Sequence, residues 1–310
     1  MLNNHRILIT GARGYVGGLL FRLLKQDCDN VWGIDVRPTD DVTEMDIRDP
    51  GLVDLLLKHD ITHVVHLASI VQPGQDPDVE YDIDVNGTKN VLEGCVNAGV
   101  THLTVTSSGA AYGYHADSPE WLTEDDPVRG NDEFSYSRHK RLVEEMLAEY
   151  RRQSPELAQL VLRPGTVIGA NTQNMITRLF TGHWILGLRG VRSPFVFAWD
   201  QDLVETIAYG VEQSRTGIFN VAGDGCLSVA EIGELMNKPV IHLPVWLVKS
   251  ILAVTKPLRI TRYGPDQVRF MQYRPVLSND KLKTEFGRPP TKSSRQALEF
   301  FIEHLPGPGR

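Results

Sequence analysis

Apolar positions follow two alternating periods through the first half of the chain. Arg6 to Thr10 reads as a strand, Tyr15 to Gln26 carries apolar residues at helical spacing, and Val31 to Val36 is strand-like again. Together they make one βαβ unit. The pattern recurs with Thr43–Ile47 as strand, Leu52–His59 as helix, Thr62–Ala68 as strand, Val79–Ala98 as a long helix and His102–Ser107 as strand. Glu133–Gln153 then reads as helix and Leu160–Ile168 as the strand after it. Strands such as Thr62–Ala68 are rich in β-branched residues without strict alternation, as expected where both faces are covered. The pattern predicts an α/β fold with a doubly wound, Rossmann-like parallel sheet.

Past Gly169 the regularity weakens, and short elements broken by Gly and Pro predict a smaller mixed C-terminal domain. Phe195–Ala198, Asp200–Glu212 and Ile218–Ala222 still read as strand, helix and strand, so the chain is expected to revisit the sheet by about 195–225. The expected domains are 1–168 and 169–310, ending in a frayed tail at 306–310.

Composition narrows the function. The 32 Lys and Arg against 39 Asp and Glu give a net charge of -7 with no basic stripe, which argues against nucleic acid. No export signal precedes the first strand, and three cysteines at 28, 95 and 226 form neither a disulfide framework nor a zinc motif. A cytoplasmic protein without a metal is expected. The longest apolar stretch, Leu243–Thr255, is interrupted by Lys249 and falls short of the ~20 residues of a membrane span. It is read as a buried or amphipathic helix rather than a membrane contact.

The chemistry begins at Thr10-Gly11-Ala12-Arg13-Gly14-Tyr15-Val16-Gly17, between the first strand and the first helix. Gly11 serves the turn, Gly14 lets a phosphate approach the free N–H groups of the helix, and Gly17 lets helix pack on strand. Spaced glycines also mark turns that bind nothing, but strand and helix flank these as a dinucleotide site requires. Asp35 ends the second strand, where a carboxylate accepts hydrogen bonds from an adenosine ribose and repels a 2'-phosphate. NAD is therefore expected over NADP, with Arg37 tempering the preference. The bland alternative for Asp35 is a solvated turn acid.

Tyr136 and Lys140 lie four apart in a helical stretch, on one face. A phenol at its ordinary pKa of ~10 is a poor base at neutral pH; lowering it to ~7 takes about 4 kcal/mol, within reach of a nearby ammonium and an oxidised nicotinamide together. Tyr136 is the expected acid/base. Ser108, at the end of the preceding strand, would hydrogen-bond the reacting oxygen. As an isolated pair, Tyr and Lys at this spacing are usually surface packing.

The set Thr-Gly-x-x-Gly-x-x-Gly, Asp46-Ile47-Arg48-Asp49, His66-Leu67-Ala68-Ser69, Asp84-Val85-Asn86-Gly87-Thr88, Ser107 to Gly113, Tyr136-Ser137-Arg138-His139-Lys140 and Leu162-Arg163-Pro164-Gly165 resembles the extended short-chain dehydrogenase/reductase family, of the NAD-dependent epimerase/dehydratase type. The resemblance covers about residues 5 to 225. It implies a cofactor site of Gly11, Gly14, Tyr15, Val16, Gly17, Asp35 and Arg37, with Asp46 and Ile47 at the adenine. Leu67, Ala68 and Ser69 would line the cofactor, Asn86 its ribose and Pro164 the nicotinamide, while Lys140 would also bind the nicotinamide ribose. Residues 1–168 would be the NAD-binding domain and 169–310 mainly the substrate-binding one.

Other residues are read more blandly. His66 is taken as structural, Arg138 and His139 as solvated on other helix faces, and Tyr112 as either substrate contact or packing. Gly109 and Ala110 stand after Ser108 where dehydratases of the family carry acids, which disfavours dehydration. Arg192-Ser193-Pro194-Phe195 departs from the Arg-acid-aromatic pattern used around a diphosphate, which counts against a nucleotide-diphosphate sugar while leaving it open. The expectation is an NAD-dependent oxidoreductase or epimerase acting on a secondary alcohol or carbonyl of a small molecule such as a sugar derivative. It would be a homodimer joined through the helices at 79–98 and 133–153. An NAD-binding redox-sensing regulator is the alternative; it would need the glycine loop but not the Tyr-Lys pair.

Overall fold

The computed structural model describes residues 2–71, 76–192, 194–258, 260–261 and 264–305; the tail at 306–310 lies outside them. The strands are β1 (Ile7–Thr10), β2 (Val31–Asp35), β3 (Val42–Glu44), β4 (His63–His66), β5 (His102–Thr106), β6 (Ala158–Pro164), β7 (Thr166–Ile168), β8 (Ile185–Leu188), β9 (Phe197–Trp199), β10 (Gly217–Val221) and β11 (Val240–Leu243). Helices α1 (Tyr15–Asp27), α2 (Leu52–Lys58), α3 (Pro77–Tyr81), α4 (Gly87–Asn97), α5 (Ser135–Gln153) and α6 (Met175–Thr181) come first. They are followed by α7 (Asp200–Glu212), α8 (Val229–Leu235), α9 (Val245–Thr255), α10 (Arg269–Gln272) and α11 (Ser294–Glu303).

Seven strands form one parallel sheet in the order β10-β6-β5-β4-β1-β2-β3. Each central strand is buried on both faces because its alternate side chains enter different layers. Ile7 and Ile9 of β1 pack with Leu20 and Leu24 of α1 and with Leu203 and Ile207 of α7. Leu8 between them points the other way, into a core with Leu52 of α2, Leu92 of α4 and Leu147 of α5. A third core joins β7 and β9 to α6, α8 and α11.

Some boundaries differ from the sequence pattern. The stretch 160–168 is not one strand: β6 ends at Pro164, and after Gly165 β7 leaves the large sheet to pair with β9. A Cβ at Gly165 would stand 3.1 Å from the Val196 carbonyl oxygen, so this glycine admits the crossing backbone. The long helix at 79–98 is interrupted by a π-helical turn at Asp82–Asn86. Helix α9 is not buried, since among its residues only Val248 is.

At the opposite end of the sheet from the glycine loop, His63 and His102 open β4 and β5, their rings 5.0 Å apart, with His5 3.9 Å beyond His63. Burial, then His5 and His102, push His63 down to about 3, and burial likewise lowers His102. The His63 ring stays neutral in the fold at mildly acidic pH, whereas the unfolded chain protonates it below pH ~6.5. With the folded His63 value depressed, stability is full above that pH and falls as pH drops towards 3, by roughly 1 kcal/mol per pH unit for that ring. Thermal midpoints should therefore fall between pH 7.5 and 5, and His63→Gln should flatten the slope; an unchanged slope would remove His63 as a cause.

Candidate functional site

The loops after β1 and β4 meet where the strand order reverses, the usual ligand position of an open α/β sheet. Gly11 has φ +68, and a Cβ there would lie 2.8 Å from the Ala68 backbone nitrogen. At Gly17 a Cβ would fall 2.1 Å from the Gly11 carbonyl oxygen. No side chain fits at either position. Gly14 is different: its added Cβ would meet only the Gly11 oxygen, at 3.1 Å. It starts α1 without a side-chain cap, and the first turn holds no acid. The free N–H groups there make an anion cradle. Val16 is half-buried against the β1 core.

Tyr15 turns outward from this loop. Its hydroxyl donates to Asp200 Oδ2 at 2.5 Å and accepts from Thr172 Oγ1 at 2.8 Å, tying the glycine loop to the C-terminal half. Burial, then the bond to Asp200, raises the Tyr15 pKa, so the phenol remains a donor.

Asp35, 8% exposed, accepts the Arg13 N–H at 3.0 Å and the Arg37 N–H at 3.1 Å. Arg37 extends its largely exposed guanidinium 3.6 Å from the same carboxylate. Asp35 therefore braces the glycine loop. Asp46 pairs with Arg48 at 2.6 Å, which holds its carboxyl below the usual range. Arg48 continues to Asp82 at 2.8 Å, and Asp82 accepts from Asn86 at 2.8 Å, so Asp46 and Asn86 share one polar strip. Ile47 is buried against Gly87. Across the loop, Leu67 and Ala68 donate their N–H groups to Thr10 Oγ1, each at 3.3 Å, and Ser69 Oγ donates to Asp84 at 3.1 Å. Pro164 is buried at the end of β6.

Two binding outcomes are expected. Gly14→Val should leave the circular dichroism spectrum unchanged and lose NAD binding, because a valine side chain would fill the cradle. NADH should bind more tightly than NADPH in fluorescence titrations, and Asp35→Ala should narrow the gap. Tighter NADPH binding by the parent would transfer the decisive role to Arg37.

The second half of the site joins the end of β5 to the start of α5. Ser108 caps the 3₁₀ turn Gly109–Tyr112, its Oγ accepting the Ala110 N–H at 3.1 Å, which leaves the hydroxyl proton free to donate. Ser137 Oγ donates to the Ala110 carbonyl at 2.7 Å and pins α5 to that turn. Tyr136 packs against Ala110, Tyr114 and Phe134. One turn later Lys140, 8% exposed, donates to the Thr106 carbonyl at 3.2 Å, with its Nζ 5.6 Å from the Tyr136 ring centre. It borders a cavity of about 10 Å³ shared with His66, Asp84 and His139.

Two of the blander readings need correction. His139 is not solvated: it is 1% exposed and its Nδ1 lies 3.0 Å from buried Asp84. Arg138 is half-buried, its guanidinium 5.7 Å from the Tyr81 ring centre. An i,i+3 step returns to nearly the same helix face, so His139 follows Tyr136 inward. His66 is structural, between Thr10 Oγ1 at 2.8 Å and Thr88 Oγ1 at 3.0 Å, and burial pushes it down to about 3. Tyr112 is 1% exposed and bonds Asn220 and the Thr123 carbonyl, a packing role.

One cation had no sequence signal. Arg274 lies over Phe195, 4.0 Å from the ring centre, and near Phe270, with Nη1 buried and unpartnered among the described residues. Burial lowers it to about 10, so it stays charged at neutral pH. Phe270 stacks on Tyr114 at 4.4 Å, which joins Arg274 to the ring cluster around Tyr136. Arg192, by contrast, is exposed and pairs with Glu120 at 2.8 Å; Ser193 beside it lies outside the described residues.

Comparison with known proteins agrees with this geometry. The NAD dependent epimerase/dehydratase family model matches residues 7–221. The N-acetyl-alpha-D-glucosaminyl-diphospho-ditrans,octacis-undecaprenol 4-epimerase of Escherichia coli O157:H7 is 28% identical, over 78% of this chain and 76% of its own. Among solved structures, UDP-glucose 4-epimerase of Thermotoga maritima, with UDP-glucose, has a TM-score of 0.75 at 18% identity, covering 96% of this chain and 97% of its own. The Thermus thermophilus UDP-glucose 4-epimerase complex with NAD has a TM-score of 0.74 at 22% identity, covering 98% and 99%. With a seven-stranded doubly wound sheet, a glycine cradle at its switch point and a match over more than two-thirds of its length, the chain belongs to the NAD-dependent epimerase/dehydratase family of extended short-chain dehydrogenase/reductase enzymes.

Proposed function

We propose that the protein is an NAD-dependent epimerase of a sugar carried on a diphosphate. The observation that carries the reading is the arrangement at β5 and α5: Tyr136 and Lys140 one turn apart, with Ser108 holding a free hydroxyl proton. The glycine cradle and Asp35 would hold NAD, which supplies reversible hydride exchange at the substrate carbon. Ser108 would donate a hydrogen bond to the reacting oxygen and fix its position. Tyr136 would take the proton from that oxygen and later return it, while the Lys140 charge favours the phenolate. Epimerisation returns the substrate to its starting oxidation level, so no net redox partner is required.

A diphosphate-linked sugar is supported by Arg274, a charged group with a buried N–H that has no partner among the described residues, beside the Tyr136 cluster. It is also what the substrates named for the Escherichia coli and Thermotoga relatives have in common. Residues 169–310 would supply most of the substrate side. The test is native mass spectrometry for retained NAD, then incubation with UDP-glucose, UDP-N-acetylglucosamine and N-acetylglucosaminyl-diphosphoundecaprenol. Conversion of one of them to its epimer without added NAD is expected. Stoichiometric NADH accumulation without an epimer would make the protein a dehydrogenase instead.

A further inference from the structure

The C-terminal half carries a surface that the proposed chemistry does not use. Helix α9 packs inward through Val245, Val248 and Leu252 onto Leu188 and Leu243 of the β8–β11 ribbon. Its opposite face should be polar on a water-exposed helix. Instead Trp246 is 68% and Val254 60% exposed, with Ile251 beside them at 45%. Leu258 and Ile260 extend the patch past the helix, and Ile241 adds to it from β11, on the side of the ribbon that α9 covers. These six are among fourteen exposed large apolar residues of the described chain, yet they fall within twenty residues of sequence. That density exceeds the scattered exposure normal for a soluble surface.

Charge says what the patch faces. From Leu235 to Pro265 there is no Asp or Glu, although the whole chain carries 39, while Lys238, Lys249, Lys256, Arg259 and Arg262 give this stretch +5 in a protein of net charge -7. Lys249 and Lys256 are exposed and pair with no carboxylate among the described residues. The two hydroxyls of α9 are turned back onto its own backbone, Ser250 Oγ to the Trp246 carbonyl at 2.9 Å and Thr255 Oγ1 to the Ile251 carbonyl at 2.8 Å. Neither needs water as a partner. Apolar side chains flanked by unpaired cations on an eleven-residue helix, too short to span a bilayer, suit a helix lying in the plane of an anionic membrane interface. A second copy of this chain fits less well, because a two-fold contact through the patch would set Lys249 and Lys256 against their own kind.

We infer that α9, with Leu258 and Ile260 after it, seats the protein on an anionic lipid surface. Lys249 also lines a cleft of about 340 Å³ with Tyr114, His115, Asp117, Arg269 and Tyr273, so the cleft borders this surface. The inference stands on the surface alone and does not depend on the proposed epimerase activity.

The test is flotation of the full chain with vesicles of pure phosphatidylcholine, or of phosphatidylcholine and phosphatidylglycerol at 7:3. Binding to the anionic vesicles alone is expected, falling as salt is raised. Trp246→Ser combined with Val254→Ser should reduce bound protein tenfold or more with an unchanged thermal midpoint, whereas Trp246→Phe should retain binding. Lys256→Ser should weaken partitioning roughly fivefold. The inference is overturned if the parent stays with neither vesicle, or if the double variant floats as well as the parent. It is equally overturned if the parent sediments as an oligomer that the double variant breaks, since the patch would then be a contact between copies.

Discussion

Tyr136→Phe is expected to lower turnover by about a hundredfold or more while NAD affinity stays at the parent level, because the ring remains and only the transferable proton is lost. The phenylalanine ring can keep the contacts with Ala110, Tyr114 and Phe134, so the fold around it should not change. Lys140→Ala should differ in kind. Its ammonium is anchored on the Thr106 carbonyl beside the Tyr136 ring, from where its remaining protons would reach a bound ribose. That variant should lose both affinity and turnover. Titration of NAD binding beside steady-state rates separates the two variants. If Tyr136→Phe turns over as fast as the parent, the proton passes through another group.

Glu144→Leu is expected to destabilise the fold by about 3–5 kcal/mol, because it leaves a buried guanidinium without its counter-charge. Arg163 and Glu144 are 4% and 6% exposed, joined at 2.5 Å between α5 and β6. Ser107 donates to Glu144 at 2.6 Å, and Arg163 donates to the Tyr112 hydroxyl at 2.7 Å, so the pair ties the loop bearing Ser108 to the sheet. Against a typical stability of ~5–15 kcal/mol the loss is large, and urea unfolding should show it as a lower midpoint with a similar slope. Arg163→Leu added to Glu144→Leu should recover part of the loss, since no charge is then buried alone. A midpoint within experimental error of the parent in Glu144→Leu would mean that the pair does not hold the loop.

The sequence by itself determined the sheet and the cradle of this protein. Apolar runs at strand and helix period, with a glycine at each point where backbone must touch backbone, specify β1, α1 and β2 locally. Gly11 and Gly17 have no room for a Cβ, a requirement the residue type alone announces. The i,i+4 spacing likewise put Tyr136 and Lys140 on one face of α5. Tertiary structure decided what depends on partners distant in sequence. Asp84 drew His139 inward, Asp200 claimed the Tyr15 hydroxyl across 185 residues, and Phe195 with Phe270 enclosed Arg274. Periodicity made α9 apolar but left open what would cover it. The ribbon of β8 and β11, with Val268 and Met271, settled that, burying one side of the helix and leaving Trp246 and Val254 outside. Local patterns report which elements form, because their forces act within a few residues; burial of a charge or a ring depends on which surfaces the folded chain brings together.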